Sequence, residues 1–143
     1  MTPPTSPYLQ GRISNGNEVE QALIRRWWQE SMGAAGVLVW EYCLESCYYA
    51  DAVVFLDLAP AGSEVPGQQT AKRYPLKGAR VALCEAKANA LSPELIGQAL
   101  VYRSIAVSCG AQVESTNVFA ADGSPRMLAV AHEHGLRPII GGL

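Results

Sequence analysis

Apolar residues recur at helical spacing near the start of this chain, between positions 18 and 28. At about 100° per residue they fall on one face, which predicts an amphipathic helix that stops near Gly33 or Gly36. Asn15 or Asn17 is suited to cap its first turn, because a side-chain oxygen at a helix start accepts a backbone N–H.

Three apolar runs further along the chain predict β-strands. The runs at 37–43 and 47–56 are separated by a tight connection and predict an antiparallel hairpin. The run at 80–86 predicts a third strand. Between the second and third runs, residues 58–79 are rich in Pro, Gly, Gln and Lys and predict a long loop. Loops of this length are uncommon in compact domains unless they are functional or mobile.

The rest of the chain alternates between helical and extended patterns. Ser92 and Pro93 are the residue types of an N-cap and a first helical turn, and they predict a helix that ends before Gly110. A strand, a short helix and a last strand are predicted to follow at 113–120, 126–134 and 136–140.

The chain length fits one domain, since 143 residues can bury a hydrophobic core. Residues 1–16, rich in Pro, Ser, Gly and Asn, predict a flexible N-terminal arm. Residues 17–143 predict a single α/β domain with a mixed central sheet flanked by helices, in the order αβββαβαβ.

Composition excludes two classes of protein. The chain is 49% hydrophobic and 17% charged, which is typical of a globular protein and not of a disordered one. It contains no apolar run of the roughly 18 residues that a membrane helix needs. The N-terminus lacks the charged and apolar blocks of a secretion signal, so we expect a cytoplasmic protein.

The net charge of −2 does not indicate a nucleic-acid-binding protein by itself. Basic residues nevertheless cluster in one short stretch, at Lys72, Arg73, Lys77 and Arg80. The cysteines form no CxxC pair, which favours buried free thiols over a cysteine-held cluster at Cys43, Cys47, Cys84 and Cys109, with the cluster as the alternative.

Charged residues interrupt two of the predicted strands. Asp51 lies inside an apolar run, where alternation puts it on the face of Val53 and Phe55. Glu85 and Lys87 lie two residues apart at the end of the next apolar run, so they share a face. If the two strands are neighbours, both carboxylates can reach one hard divalent cation such as Mg²⁺, with Lys87 beside them.

A third carboxylate is predicted to lie on the first helix. Glu20 falls in the middle of the apolar face, whereas Glu18 falls nearly opposite. A carboxylate on a core-facing stripe is costly unless it is paired or binds metal. Glu20 is therefore the stronger candidate and Glu18 the fallback. Asp57 is a rival for Asp51, since alternation places it on the same strand face.

This order of motifs resembles the PD-(D/E)XK superfamily of restriction-endonuclease-like nucleases. Asp51 matches the strand acid of that family, and Glu85-Ala86-Lys87 matches its second motif. Gln98 and Tyr102 match the QxxxY pair of RecB-type members on the helix that follows. The resemblance spans roughly residues 18–120 and implies the fold predicted above. It departs from the family at Ala50, where proline is common.

The resemblance implies a metal-dependent deoxyribonuclease. Mg²⁺ or Mn²⁺ would be held by Asp51, Glu85 and the backbone carbonyl of Ala86, with Glu20 acting through water. Lys87 would orient the attacking water, and Gln98 would fix Lys87 or a phosphate. Residues expected to contact the substrate backbone are Lys72, Arg73, Lys77 and Tyr102.

Several alternatives remain open at the level of sequence. The substrate is DNA or RNA, and the chain acts as a homodimer or within a larger protein assembly, since 143 residues cannot easily surround a duplex. A different class of function is a catalytically silent nuclease fold that serves as a nucleic-acid-binding or assembly module.

Overall fold

The computed structural model of the chain describes residues 15–46, 48–67 and 73–141. The predicted arm therefore lies outside the described residues, apart from residues 15 and 16, and so do Cys47 and Lys72. Three helices and six strands form the described part in this order: α1 (Asn15–Ser31), β1 (Val37–Glu45), β2 (Tyr48–Phe55), β3 (Ser63–Val65), β4 (Arg80–Ala86), α2 (Pro93–Ser108), β5 (Gln112–Ala120), α3 (Pro125–Glu133) and β6 (Arg137–Ile140).

The strands form one mixed sheet with the order β3-β1-β2-β4-β5-β6. The pairs β1–β2 and β2–β4 are antiparallel, whereas β1–β3, β4–β5 and β5–β6 are parallel. The predicted hairpin and α/β class are confirmed, because the sheet is mixed and flanked by three helices. No helix of the described ranges is long and apolar enough to span a membrane.

Helix α1 covers one part of the sheet, and α2 and α3 cover another. Leu23, Ile24 and Trp28 of α1 are buried against β1, β2 and β4. Leu95 of α2 and Ala131 of α3 are buried together with residues of β5. The amphipathic pattern of α1 is therefore confirmed, although the helix begins at residue 15 and not near residue 18.

A serine side chain caps the start of both α2 and α3. Ser92 Oγ accepts a hydrogen bond from the backbone N of Leu95 at 3.2 Å, as the Ser-Pro pair predicts. Ser124 Oγ caps α3 in the same way, accepting from the N of Met127 at 3.1 Å. Both helices therefore begin where a serine hydroxyl satisfies an N–H of the first turn.

The predicted loop at 58–79 contains a strand that the sequence pattern does not reveal. Within it, Ser63–Val65 pairs in parallel with the start of β1 and forms the edge of the sheet. Arg25 on α1 holds this strand through Glu64, at 2.9 Å for both nitrogen–oxygen pairs. The description of 58–79 as loop throughout is therefore wrong, because a contact with α1 and β1 orders its first third.

Side chains stop alternating regularly in the middle of the hairpin. On β1, Trp40 packs on the α1 side of the sheet and Tyr42 packs on the opposite side, although regular alternation puts both on one side. On β2, Ala52 and Ala50 are divided in the same way. Between them, Glu41 has a φ of +48°. Regular alternation is therefore interrupted in both strands at one position, between Trp40 and Tyr42 on β1 and between Ala52 and Ala50 on β2.

Candidate active site

Asp51 and Glu85 lie where β2 and β4 separate. The register of these strands ends at Ala52 and Cys84. At the next position the backbone N of Asp51 donates to Glu85 Oε2 at 3.1 Å, and the backbone N of Ala86 donates to Asp51 Oδ2 at 2.8 Å. Carboxylates thus replace carbonyls as acceptors, so the two acids are held side by side between adjacent strands. The predicted proximity of Asp51 and Glu85 is confirmed.

Both carboxyl groups have raised pKa values. Glu85 is 1% exposed, and burial, followed by repulsion from Asp51, raises its pKa well above the ordinary value. Burial also raises the pKa of Asp51 from 3.8 to about 7. The hydrogen bond from Ala86 opposes that shift, and the charges of Glu41 and Glu20 add to it. Both carboxyl groups therefore bind protons more tightly than exposed acids do.

Lys87 follows β4 directly and is exposed. Its backbone N donates to the carbonyl of Phe119 at 2.9 Å, which anchors the residue to β5. The ammonium group of Lys87 lowers the pKa of both Asp51 and Glu85. The structure therefore places this cation next to the two acids, with its side chain accessible to a substrate.

Glu20 lies half-buried on α1, close enough to raise the pKa of Asp51. Glu18 is exposed in the first turn of the same helix. Of the two helix acids that the sequence offers, the structure thus brings Glu20 toward the strand acids.

Glu41 is a site residue that the sequence analysis did not single out. It is 4% exposed on β1 and raises the pKa of both Asp51 and Glu85. Its neighbours in the register place it opposite Asp51. The signal that identified Asp51, a carboxylate inside an apolar run, was also present at Glu41.

Gln98 and Tyr102 lie together on α2, as the spacing predicts. Gln98 Nε2 donates to Tyr102 Oη at 3.4 Å, and the ring of Tyr102 makes an edge contact with Tyr48 at a centroid distance of 6.3 Å. In this structure Gln98 therefore contacts Tyr102, and the expectation that it fixes Lys87 or a phosphate stays a prediction.

The basic residues of the 58–79 segment lie away from the acids. Lys77 and Arg73 precede β4, at the end where Phe55 pairs with Val81. Val81 and Glu85 are four residues apart on one strand, which corresponds to about 13 Å at roughly 3.3 Å per residue. The expectation that Arg73 and Lys77 contact the substrate backbone stays a prediction, and Lys72 lies outside the described residues.

Asp57, the rival of Asp51, has a different role. It is exposed beyond the end of β2, and its Oδ1 accepts from Arg80 Nη1 at 2.6 Å. Arg80 also approaches Glu114 at 3.6 Å. Asp57 thus belongs to a surface ion-pair network at the far end of the strands.

The donor set fits a hard divalent cation. Glu85 Oε1 is buried and has no hydrogen-bond partner within the part of the chain that the structure describes, which leaves an acceptor for a ligand. Mg²⁺ commonly uses one or two carboxylates and completes its shell with water and phosphate oxygens. Among the described residues no group of three or more His, Cys, Asp and Glu side chains is arranged around one ion. The site therefore fits a cation held by two carboxylates better than one in a closed protein cage.

Comparisons with known proteins returned no match: no family model, no curated protein and no solved structure is similar to this chain. The functional conclusion therefore depends on the geometry of the site and on the motifs in the sequence.

Proposed function

We propose that this protein is a metal-dependent nuclease of the PD-(D/E)XK type that hydrolyses phosphodiester bonds in DNA. The observation that carries the proposal is the pair Asp51 and Glu85, one half-buried and one buried acid, whose carboxyl groups are held between separating strands with Lys87 beside them. Acids whose pKa values are raised by burial and by a neighbouring acid, with a cation close by, are typical of functional sites.

Asp51 and Glu85 would hold Mg²⁺ or Mn²⁺, with the carbonyl of Ala86 and Glu20 as further oxygen donors. When bound, the cation would polarise the scissile phosphate and offset the charge that develops in the transition state. The reciprocal hydrogen bonds between β2 and β4 fix both carboxyl groups in advance, so little ordering is required when the cation and the substrate bind.

Lys87 would orient the attacking water and neutralise a phosphate oxygen. Its position directly after β4, anchored to β5 through the carbonyl of Phe119, restricts where the ammonium group can reach. A lysine ammonium offers three donors and a compact charge, which suits both tasks. Because a chain of 143 residues is small beside a duplex, we expect it to act as a homodimer or within a larger assembly.

The substitution Lys87→Ala tests the assigned role. We expect it to lower the rate of supercoiled DNA cleavage at saturating substrate by at least about 100-fold, the usual contribution of a positioned proton-transfer group. Folding and Mn²⁺ affinity should be retained, because Lys87 is exposed. Cleavage is followed on gels with Mg²⁺ and with Mn²⁺, and binding is followed by calorimetry.

Lys77→Ala is the matched control, since it removes a lysine at the other end of β4. Its cleavage rate at saturating DNA should stay within a few-fold of wild type. Activity that persists in Lys87→Ala after removal of contaminating nucleases contradicts the mechanism. If the wild-type protein shows no Mn²⁺ binding that Asp51→Asn removes, the protein is instead a catalytically silent nuclease fold. Parallel assays with RNA identify which nucleic acid is the substrate.

A further inference from the structure

Helix α2 is apolar on nearly all its sides. Between residues 95 and 108 the sequence contains a single charged residue, Arg103, and Arg103 Nη1 donates to the carbonyl of His134, just after α3, at 3.1 Å. A surface helix normally carries charged and polar residues on its outer side, whereas a helix that is apolar all round is typical of one that is covered all round. The composition of α2 therefore predicts a second contact surface, opposite the sheet.

Within the described ranges, the fold covers one side of α2 and leaves the other side open. Leu95 and Ala106 are buried on the inner side. Val101 is 51% exposed and Val107 is 55% exposed, and Ser104, three residues from each of them, is exposed as well. We call Val101, Ser104 and Val107 the outer face of α2. An exposed apolar face of this kind marks a protein contact surface.

Opposite charges lie at the two ends of this outer face. Glu94 is exposed in the first turn of α2. Beyond the last turn, the backbone N of Gly78 donates to the carbonyl of Gly110 at 2.8 Å, and Lys77 packs against Gly110. Because Lys77 is exposed, it adds a positive charge at the C-terminal end of the helix.

An antiparallel pair of α2 helices matches these charged ends to each other. Glu94 and Gly110 are equally far from position 102 along the chain, so a two-fold axis near this position brings Glu94 of one copy to the end that carries Lys77 in the other. The same contact occurs twice, as symmetry requires in a two-fold interface. Val101 lies close to the axis, and the helix dipoles run in opposite directions. A parallel pair would instead bring like charges together.

We propose that the outer face of α2 is the contact surface of a homodimer in which two α2 helices pack antiparallel. The inference identifies a surface for self-association and does not depend on metal binding or cleavage. A partner of different sequence would have to supply both opposite charges at the matching distance, which a second copy supplies by symmetry. Gln98 and Tyr102 lie on the same helix, so the dimer would place the candidate sites of both copies beside the interface.

Sedimentation velocity of the full-length protein over a concentration series in chelator tests the dimer. The wild type should dimerise at micromolar concentration, and Val101→Glu should weaken dimerisation by at least about 100-fold, because two like charges would meet near the axis. Circular dichroism should show a folded variant, since Val101 is half exposed. Leu58→Glu is the matched control, because Leu58 is a 39% exposed residue outside α2, and it should still dimerise like the wild type.

Charge reversal distinguishes a second copy from any other partner. Glu94→Lys and Lys77→Glu, each made alone, place like charges at both ends of the helix pair and should each weaken dimerisation by about tenfold. The two substitutions in one chain restore the opposite charges, so this double variant should dimerise more tightly than either single variant. A monomeric wild type, or a double variant no tighter than the single variants, overturns the inference. The proposed function is judged separately, by whether Asp51→Asn removes Mn²⁺ binding and cleavage.

Discussion

Asp51 and Glu85 each accept a backbone hydrogen bond from the neighbouring strand, yet both keep raised pKa values. Two N–H donors favour the ionised form, but burial and mutual repulsion outweigh them. A metal ion at the proposed site would reverse this balance, because it would bind the ionised carboxylates and displace their protons. The same two residues would then link metal binding to pH.

The pKa of Asp51 predicts how the stability of the metal-free protein depends on pH. It rises from 3.8 to about 7 on folding, so folding takes up a proton between these values. The free energy of unfolding should therefore fall as pH rises through this window and level off above pH 7. Thermal melts in chelator, recorded between pH 4 and pH 8, should show a smaller decline in Asp51→Asn than in the wild type.

Asp122→Asn, which changes an exposed residue shortly after β5, should keep the wild-type decline. Mn²⁺ should raise the melting temperature more at pH 8 than at pH 6, since less protonated ligands bind metal more tightly. An unchanged pH profile in Asp51→Asn contradicts the buried, proton-binding state of this residue.

At the level of single residues, an acid could be identified from the sequence only where it interrupts the apolar pattern of a buried strand. Asp51 and Glu85 stood out because each interrupts an apolar run, and the structure brings them together. Glu41 interrupts an apolar run in the same way, between Trp40 and Tyr42. The position of Glu41 opposite Asp51 depends on how β1 pairs with β2, and this pairing cannot be predicted from the sequence of β1 alone.

At the scale of elements, local signals determined most helices and strands, and long-range contacts determined the rest. The cap at Ser92 and the apolar run of β4 are local features, and both were predicted correctly. Strand β3 has only three residues, too few for a pattern. Glu64 fixes it by accepting from Arg25 and, at 2.9 Å, from Trp40 Nε1. Such contacts join residues far apart in the chain.

The segment after β3 approaches the hairpin where its strands change faces. A Cβ added at Gly67 would collide with the backbone carbonyl oxygens of Trp40 and Glu41. Backbone atoms cannot rotate away as side chains do, so the collision would have to shift a strand. Gly67 therefore allows this segment to pack against β1 directly beside Glu41.

Gly67→Ala should lower the free energy of unfolding by about 1–3 kcal/mol, the usual cost of overpacking. Gly97→Ala is a matched control within α2, where an added Cβ meets no atom within 4 Å. Because alanine favours helix over glycine, this control should gain up to about 1 kcal/mol. Urea unfolding measures both, and a neutral Gly67→Ala would show that the segment does not pack against Glu41.

At the scale of the whole molecule, several arginine residues are paired with carboxylates other than Asp51 and Glu85, whereas Lys87 lies beside these two acids. The acids lie at one end of the β2–β4 pair, and Arg80 lies at the other, paired with Asp57 and Glu114. Arg25 and Arg26 are likewise paired with carboxylates. The order of elements could be predicted from periodicity, but this distribution of charge depends on which strands are neighbours, which the sequence did not specify.

This charge distribution predicts weak electrostatic attraction to DNA. Each phosphate contact contributes about 0.9 to the slope of log affinity against log salt concentration, and several basic residues here are already neutralised by acids. Anisotropy titrations of labelled duplex in chelator, which prevents cleavage, should give a slope no steeper than about −3. The double substitution of Arg73 and Lys77 to alanine should reduce its magnitude by up to about 2, whereas Arg80→Ala should leave it unchanged. A steep slope that the double variant leaves intact would place the DNA-binding surface elsewhere on the protein.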